Sequence, residues 1–145
     1  MFHMKLFVGA KGVVHYDGKV LLIRESAAYL DGSEEGRWDM VGGRIEPDED
    51  VRIGLVREIK EESGLMVVPK DLLGVFDGYP TIRGEVCHVV RLYFLCEAES
   101  DQVVLSEDHD TFVWVDPVHP ESYPLMDDIA EMLTVAHRRL SDSSM

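Results

Sequence analysis

The stretch "REIKEESG", Arg57 to Gly64, places Glu58, Glu61 and Glu62 at i, i+3 and i+4. On a helix that spacing stacks all three acids along one side, where like charges repel by about a few tenths of a kcal/mol per pair. The residues before it make a helix the natural reading. "PDED", Pro47 to Asp50, brings acids to the positive end of a helix dipole, and Gly64 supplies a stop. A helix from about Asp48 to Ser63 turns Val51, Leu55 and Ile59 toward a core. Gly54, Glu58 and Glu62 form the adjoining row, with Glu61 beside it. The acids therefore border the buried face. Gly54, one turn before Glu58, leaves room there for a ligand on this reading.

Hard carboxylate oxygens in this number suit Mg²⁺ or Mn²⁺, which keep several waters and accept phosphate oxygens as further ligands. A solvated acidic helix face is the other reading of the triplet, since exposed acids are common. The spacing alone leaves both open.

Working outward, "KLFVGAKGVVHYDGKVLLIRES" reads as a hairpin about Asp17-Gly18, a strong turn dipeptide. Residues 26 to 36 read as a loop, and Trp38 opens a short extended piece reaching Gly42-Gly43. Beyond the helix, "LMVVP" and "LLGVFDGYP" read as two short extended runs. "EVCHVVRLYFLCEA" reads as one long central strand, and "TFVWVDP" as another strand. Ile129, Met132, Leu133, Ala136 and Leu140 recur at helical spacing, which predicts an amphipathic helix over 126–140. The order β-β-α-β-β-α implies one mixed sheet flanked by helices in a single domain spanning 1–145, with 1–4 and the tail 141–145 disordered. Either Met1 or Met4 serves as the natural start.

Acids outnumber bases 28 to 14, for a formal charge of −14. Such a chain repels nucleic acid and anionic membrane, and it carries no Lys/Arg-rich patch. No apolar run reaches the roughly 18 residues of a membrane span, and "MFHMKLFVGA" lacks the layout of a signal peptide. Cys87 and Cys96, the only cysteines, read as reduced core residues of a cytoplasmic protein. The six histidines show no ligand spacing and read as structural or surface residues.

Gly43, then Glu49, then Arg57-Glu58-Ile59, Glu61-Glu62 and Gly64-Leu65 occupy every fixed position of the pattern G-x5-E-x7-R-E-U-x-E-E-x-G-U, with U aliphatic. A chance match anywhere in the chain is on the order of one in ten million. The sequence resembles a Nudix hydrolase. Trp38 and Gly42-Gly43 are similar to the family's W-x-x-P-G-G stretch, with Val41 in place of the proline.

The resemblance implies an α/β/α sandwich and metal-dependent hydrolysis of a phosphoanhydride in a nucleoside diphosphate linked to another group. The substrate on this reading is a nucleoside triphosphate or an ADP-ribose-type compound. The metal ligands would be Glu58, Glu61, Glu62 and the backbone carbonyl of Gly42, with Mg²⁺ as cofactor and Mn²⁺ as substitute. Glu58 or Glu61 would act as general base, with Glu107, beside Asp108-His109, as a further ligand or base. Arg57 would brace the helix against its preceding loop through Glu49, while Gly43 and Gly64 would supply backbone conformations that a Cβ resists. Arg24 and Arg44 would face phosphate.

Pro80, fifteen positions beyond Leu65, matches a proline of some ADP-ribose-cleaving members, whereas the compact chain suits triphosphate hydrolysis. Tyr16, Tyr29, Phe76 and Tyr79 are candidates to stack a base. A monomer or a homodimer fits the pattern. The alternative function is a nucleotide-sensing module that keeps the fold without turnover; retention of every box glutamate argues for turnover.

Overall fold

The computed structural model describes residues 3–25, 38–120, 125 and 128–143, with only the backbone of Ser143. The loop read over 26–36, including Tyr29, lies outside them. The hairpin forms as expected: β1 (Leu6–Tyr16) and β2 (Lys19–Glu25) pair antiparallel about the turn at Asp17 and Gly18. Then come β3 (Trp38–Asp39), β4 (Val41–Arg44) and α1 (Val51–Ser63).

The helix starts three residues later than the acidic run suggested. Asp50 is its N-cap, and its side chain accepts the amides of Arg52 and Ile53 at 3.0 and 3.2 Å. Its end is closed twice. Gly64 adopts φ 75°, which lets its amide reach the Lys60 carbonyl, and the buried Ser63 hydroxyl donates to the Ile59 carbonyl at 2.6 Å.

The two short runs expected after α1 are one strand, β5 (Val67–Gly78), interrupted by register shifts near Pro69 and Leu72. Bulges absorb the proline and break the alternation that the sequence would otherwise show. The long apolar run divides at Cys87. A small hairpin, β6 (Thr81–Ile82) with β7 (Glu85–Val86), stands apart from β8 (His88–Ala98). Its turn holds Arg83 at φ 51° and Gly84 at φ 81°. The remaining elements are β9 (His109–Val115) and α2 (Ile129–Ser143), which continues beyond Leu140 into the tail expected to be disordered.

The main sheet has seven strands, with β3-β2-β1-β8-β5 in order, β4 also on β1 and β9 also on β2. β8 is an interior strand between β1 and β5, parallel to β1 and antiparallel to β5. On one face Ala10, Val14, Phe94 and Cys96 bury Leu55 and Ile59 of α1. On the other, Val13, Tyr93 and Leu95 bury Ile129, Met132 and Leu133 of α2. This is the expected α+β sandwich. Cys87 and Cys96 are buried free thiols, and burial pushes Cys96 up to about 12. Among the described residues, no helix is long and apolar enough to cross a membrane.

Candidate active site

A cleft of about 910 Å³ opens beside the first half of β1. α1 reaches it because Gly12 of β1 is bare: a Cβ there would stand 2.6 Å from Ile59 Cδ1. The helix therefore lies close against the strand and delivers Glu58 and Glu62 to the cleft wall.

Two consecutive glycines of β4 receive these acids. The Gly42 amide donates to Glu62 Oε1 at 2.7 Å. A Cβ on Gly43 would fall 2.5 Å from Glu58 Oε2. Gly43 thus gives space to a carboxylate; the unusual backbone expected of it belongs to Gly42, at φ 138°.

Arg57 organises the outer side. Its guanidinium donates to both oxygens of Glu49, at 2.7 and 2.9 Å, and its Nη1 stands 3.2 Å from Glu58 and from Glu61. These hydrogen bonds, with the Glu46 amide, hold Glu49 down at about 2. The bracket between helix and preceding loop has the expected partners.

The role expected of Gly54 is corrected. Its bare face is filled by Glu49 and Ile45, whose atoms lie 2.7 to 2.8 Å from where a Cβ would be. Alanine normally gains about 1 kcal/mol over glycine inside a helix. Gly54→Ala should instead leave the melting temperature no higher and reduce turnover about tenfold, because the methyl displaces Glu49 from Arg57. A gain of about 2–4 °C with full activity would refute this close fit.

Burial and charge work against ionisation at the inner acids. Glu62, 17% exposed, is pushed up to about 7 by desolvation, assisted by Glu58 and Asp39 and opposed by Lys11 and the Gly42 amide. Desolvation also raises Glu58, against the pull of Arg57. Glu61 is 59% exposed and turned to Arg57.

Among the described residues, no three acids, histidines or cysteines stand together as a ready metal cage. The donor chemistry nevertheless fits a divalent cation. Two hard carboxylates are held in a desolvated wall, disfavoured as bare anions, with a third at its rim.

Two groups that the sequence reading passed over, Lys11 and Arg91, and one that it read otherwise, His109, also line the cleft. Lys11 Nζ donates to Asp39 at 3.0 Å, and the pull of Asp39 and Glu62 outweighs burial to raise its pKa. His109 was read as structural or surface. Its ring lies in the cleft, with Nδ1 buried, lacking a hydrogen-bond partner and 3.9 Å from Glu62. Burial and Lys11 hold it below the ordinary histidine range. Its position follows from the preceding loop, where the Val104 and Ser106 amides donate to the last α1 carbonyls, Ser63 and Glu62, at 2.8 and 3.1 Å. Arg91, on β8, lines the cleft and pairs at 3.1 Å with Asp128, a buried acid that also accepts from Tyr93 at 2.7 Å. A charged residue within an apolar central strand was the available signal for both Lys11 and Arg91.

Other expected positions divide. Arg44 lines the cleft, its guanidinium carbon 3.6 Å from the Phe7 ring centre. Arg24 does not line it and instead makes a two-point pair with Asp110 at 2.9 and 3.1 Å. Glu107 is exposed and also outside the lining, while its neighbours Asp108 and His109 belong to it. Tyr16 packs on Trp114, Phe76 on Tyr93 and Tyr79 on His88, none of them in the lining. Pro80 closes the β6–β7 hairpin, its carbonyl accepting the Cys87 amide at 2.9 Å.

A profile of the NUDIX domain matches residues 7–134. The chain belongs to the Nudix family and is a Nudix hydrolase. It is 29% identical over 122 residues to the CTP pyrophosphohydrolase of Escherichia coli K12, covering 84% of each chain. It is 28% identical over 120 residues to nucleoside triphosphatase NudI of Klebsiella pneumoniae, covering 78% of this chain and 84% of that one. Among solved structures, the MutT protein of Methanosarcina mazei Go1 superimposes with a TM-score of 0.77 at 25% identity, covering 92% of this chain and 96% of that chain.

Proposed function

We propose that this hydrolase cleaves a phosphoanhydride bond of a nucleoside triphosphate, using Mg²⁺ with Mn²⁺ as a substitute. The observation that carries the proposal is the pair Glu58 and Glu62, desolvated in one cleft wall beside Gly42 and Gly43. Two relatives of matching length named for nucleoside triphosphates support the substrate class. Pro80, the one residue that favoured an ADP-ribose-type substrate, is accounted for by the hairpin it closes.

Glu58 and Glu62 would hold the cation, joined by Glu61 at the rim and the Gly42 carbonyl. A bound dication neutralises the polyphosphate and acidifies an attacking water. The chain supplies the rest. Arg57 fixes the direction of Glu58 and Glu61 and leaves Glu49 no freedom to compete. Glu58, in the cleft wall against Gly43, is better placed than the outward-turned Glu61 to take the proton from water. Lys11, held by Asp39, places positive charge beside the phosphates. Arg44 serves the far side of the cleft. Arg24 and Glu107 have lesser parts in this proposal, as a brace for β9 and a surface acid.

The test is a panel of CTP, other canonical and oxidised nucleotides, ADP-ribose, NADH and dinucleoside polyphosphates, with products identified by mass. Phosphate or pyrophosphate should appear from a nucleoside triphosphate with Mg²⁺ and stop with EDTA. Tight binding without product across the panel would overturn the proposal in favour of a nucleotide sensor.

A further inference from the structure

The cleft floor changes character along β1. Register places Gly42, Lys11 and Tyr93 in one row across β4, β1 and β8, and Arg44, Gly9 and Arg91 in the next. The row after that is Phe7 and Val89. Paired residues share a sheet face, so polar chemistry at the carboxylate end gives way to an arginine row and then to an apolar end.

Three observations define that far end. The Arg44 guanidinium sits over the Phe7 ring, its carbon 3.6 Å from the ring centre. Gly9, between the two arginines, is open above: a Cβ there would meet nothing nearer than the Gly43 carbonyl oxygen at 3.7 Å. Arg91 Nε is buried and has no hydrogen-bond partner. Opposite stands the β6–β7 hairpin, which contributes Ile82 and Arg83.

We infer that this end is a subsite for the planar heteroaromatic ring of the substrate, a nucleobase. The ring would lie over Gly9 against the Arg44–Phe7 stack, with an acceptor on its edge turned to Arg91 Nε. The inference rests on the proposed nucleotide substrate and adds where its uncharged end binds. A phosphate is the competing occupant, and charge argues against it. Arg91 is already matched by the buried Asp128 and Lys5 by Glu85, while Arg44 is engaged by the Phe7 ring. Guanidinium planes and aromatic faces stack bases with little regard to sequence, whereas a phosphate site needs uncompensated charge.

Calorimetric titration of the full chain with a non-hydrolysable CTP analogue and with inorganic tripolyphosphate, both with Mg²⁺, tests the assignment. Gly9→Val fills the floor in the arginine row, where the nearest atom to its Cβ is the Gly43 carbonyl oxygen at 3.7 Å, and Arg44→Ala, on an exposed side chain, removes the contact with Phe7 with little risk to folding. Both variants should bind the nucleotide at least about tenfold more weakly, while Gly9→Val binds tripolyphosphate within about twofold of the parent. Equal weakening of both ligands by Gly9→Val would overturn the subsite in favour of an anion site. Unchanged nucleotide binding in both variants would also overturn it. Failure of the hydrolysis proposal reads differently, as a parent protein that binds the nucleotide and releases no product.

Discussion

Glu62→Gln should abolish most turnover while making the metal-free protein more resistant to heat at pH 8. The two effects share one cause. Glu62 is pushed up to about 7 in the folded chain, against an ordinary 4.5. A raised carboxyl contributes stability while it stays protonated, fully below about 4.5, and that contribution is lost as pH rises through about 7. At pH 8 the native protein therefore carries an ionised acid in a poorly hydrated wall, and glutamine removes that burden while keeping an acceptor for the Gly42 amide. The parent should melt lower at pH 8 than at pH 5.5 from this group, and the variant should show less of that slope. Turnover should fall by more than about 100-fold, the upper end for partners that only support a metal ligand. Added Mg²⁺ should raise the melting temperature of the parent more than that of the variant, since binding to the native state stabilises it. Differential scanning fluorimetry at the two pH values, with and without Mg²⁺, gives the comparison. A variant that loses stability at pH 8, or retains activity, would remove Glu62 from the metal wall.

Gly42→Ala should be the most damaging of the glycine replacements. At φ 138° its backbone is one that residues with a side chain rarely adopt, and the added methyl would stand 2.7 Å from Lys11 Cα and press on the Ala10 carbonyl. Both obstacles are backbone of a central strand and cannot swing aside. The strain alone costs about 1–3 kcal/mol, and relieving it would pull β4 from β1, taking the Glu62 acceptor contact with it. Gly18 is the control. It has a similarly positive φ of 78° but nothing within 4 Å of a would-be Cβ, so alanine there should cost only about 1 kcal/mol. Paired urea melts separate the two sites. Equal midpoints would show that β4 yields where the packing says it does not.

Much of the architecture was legible because its elements are written locally. Asp17-Gly18 marks a turn, and the PDED run with Gly64 brackets a helix. Val51, Leu55 and Ile59 declare its buried stripe. Helix endings and strand breaks were less so. The β5 bulges and the separation of β6–β7 from β8 depend on partners that the local pattern does not reveal. The same division holds at the cleft. Glu58, Glu62 and the Arg57–Glu49 bracket lie within one 23-residue motif and could be read together. Lys11, Arg91 and His109 come from three strands and converge only through sheet register and the loop that caps α1. Gly54 misled because a missing side chain signals space without saying who fills it. The Arg24–Asp110 pair could not be read either, because Asp110 is brought to Arg24 only by the pairing of β9 with β2.

The parallel pairing of β1 with β8 has a consequence for biosynthesis. Leu6 is partnered by His88, 82 positions further along, so the two strands cannot pair until the whole intervening stretch has been made. Until then the hairpin shows a bare flank to chaperones and to other nascent chains, and the apolar side of α1 has only half a sheet to rest on. The cleft floor is thus complete only once the strand carrying Arg91 has paired with the one carrying Lys11.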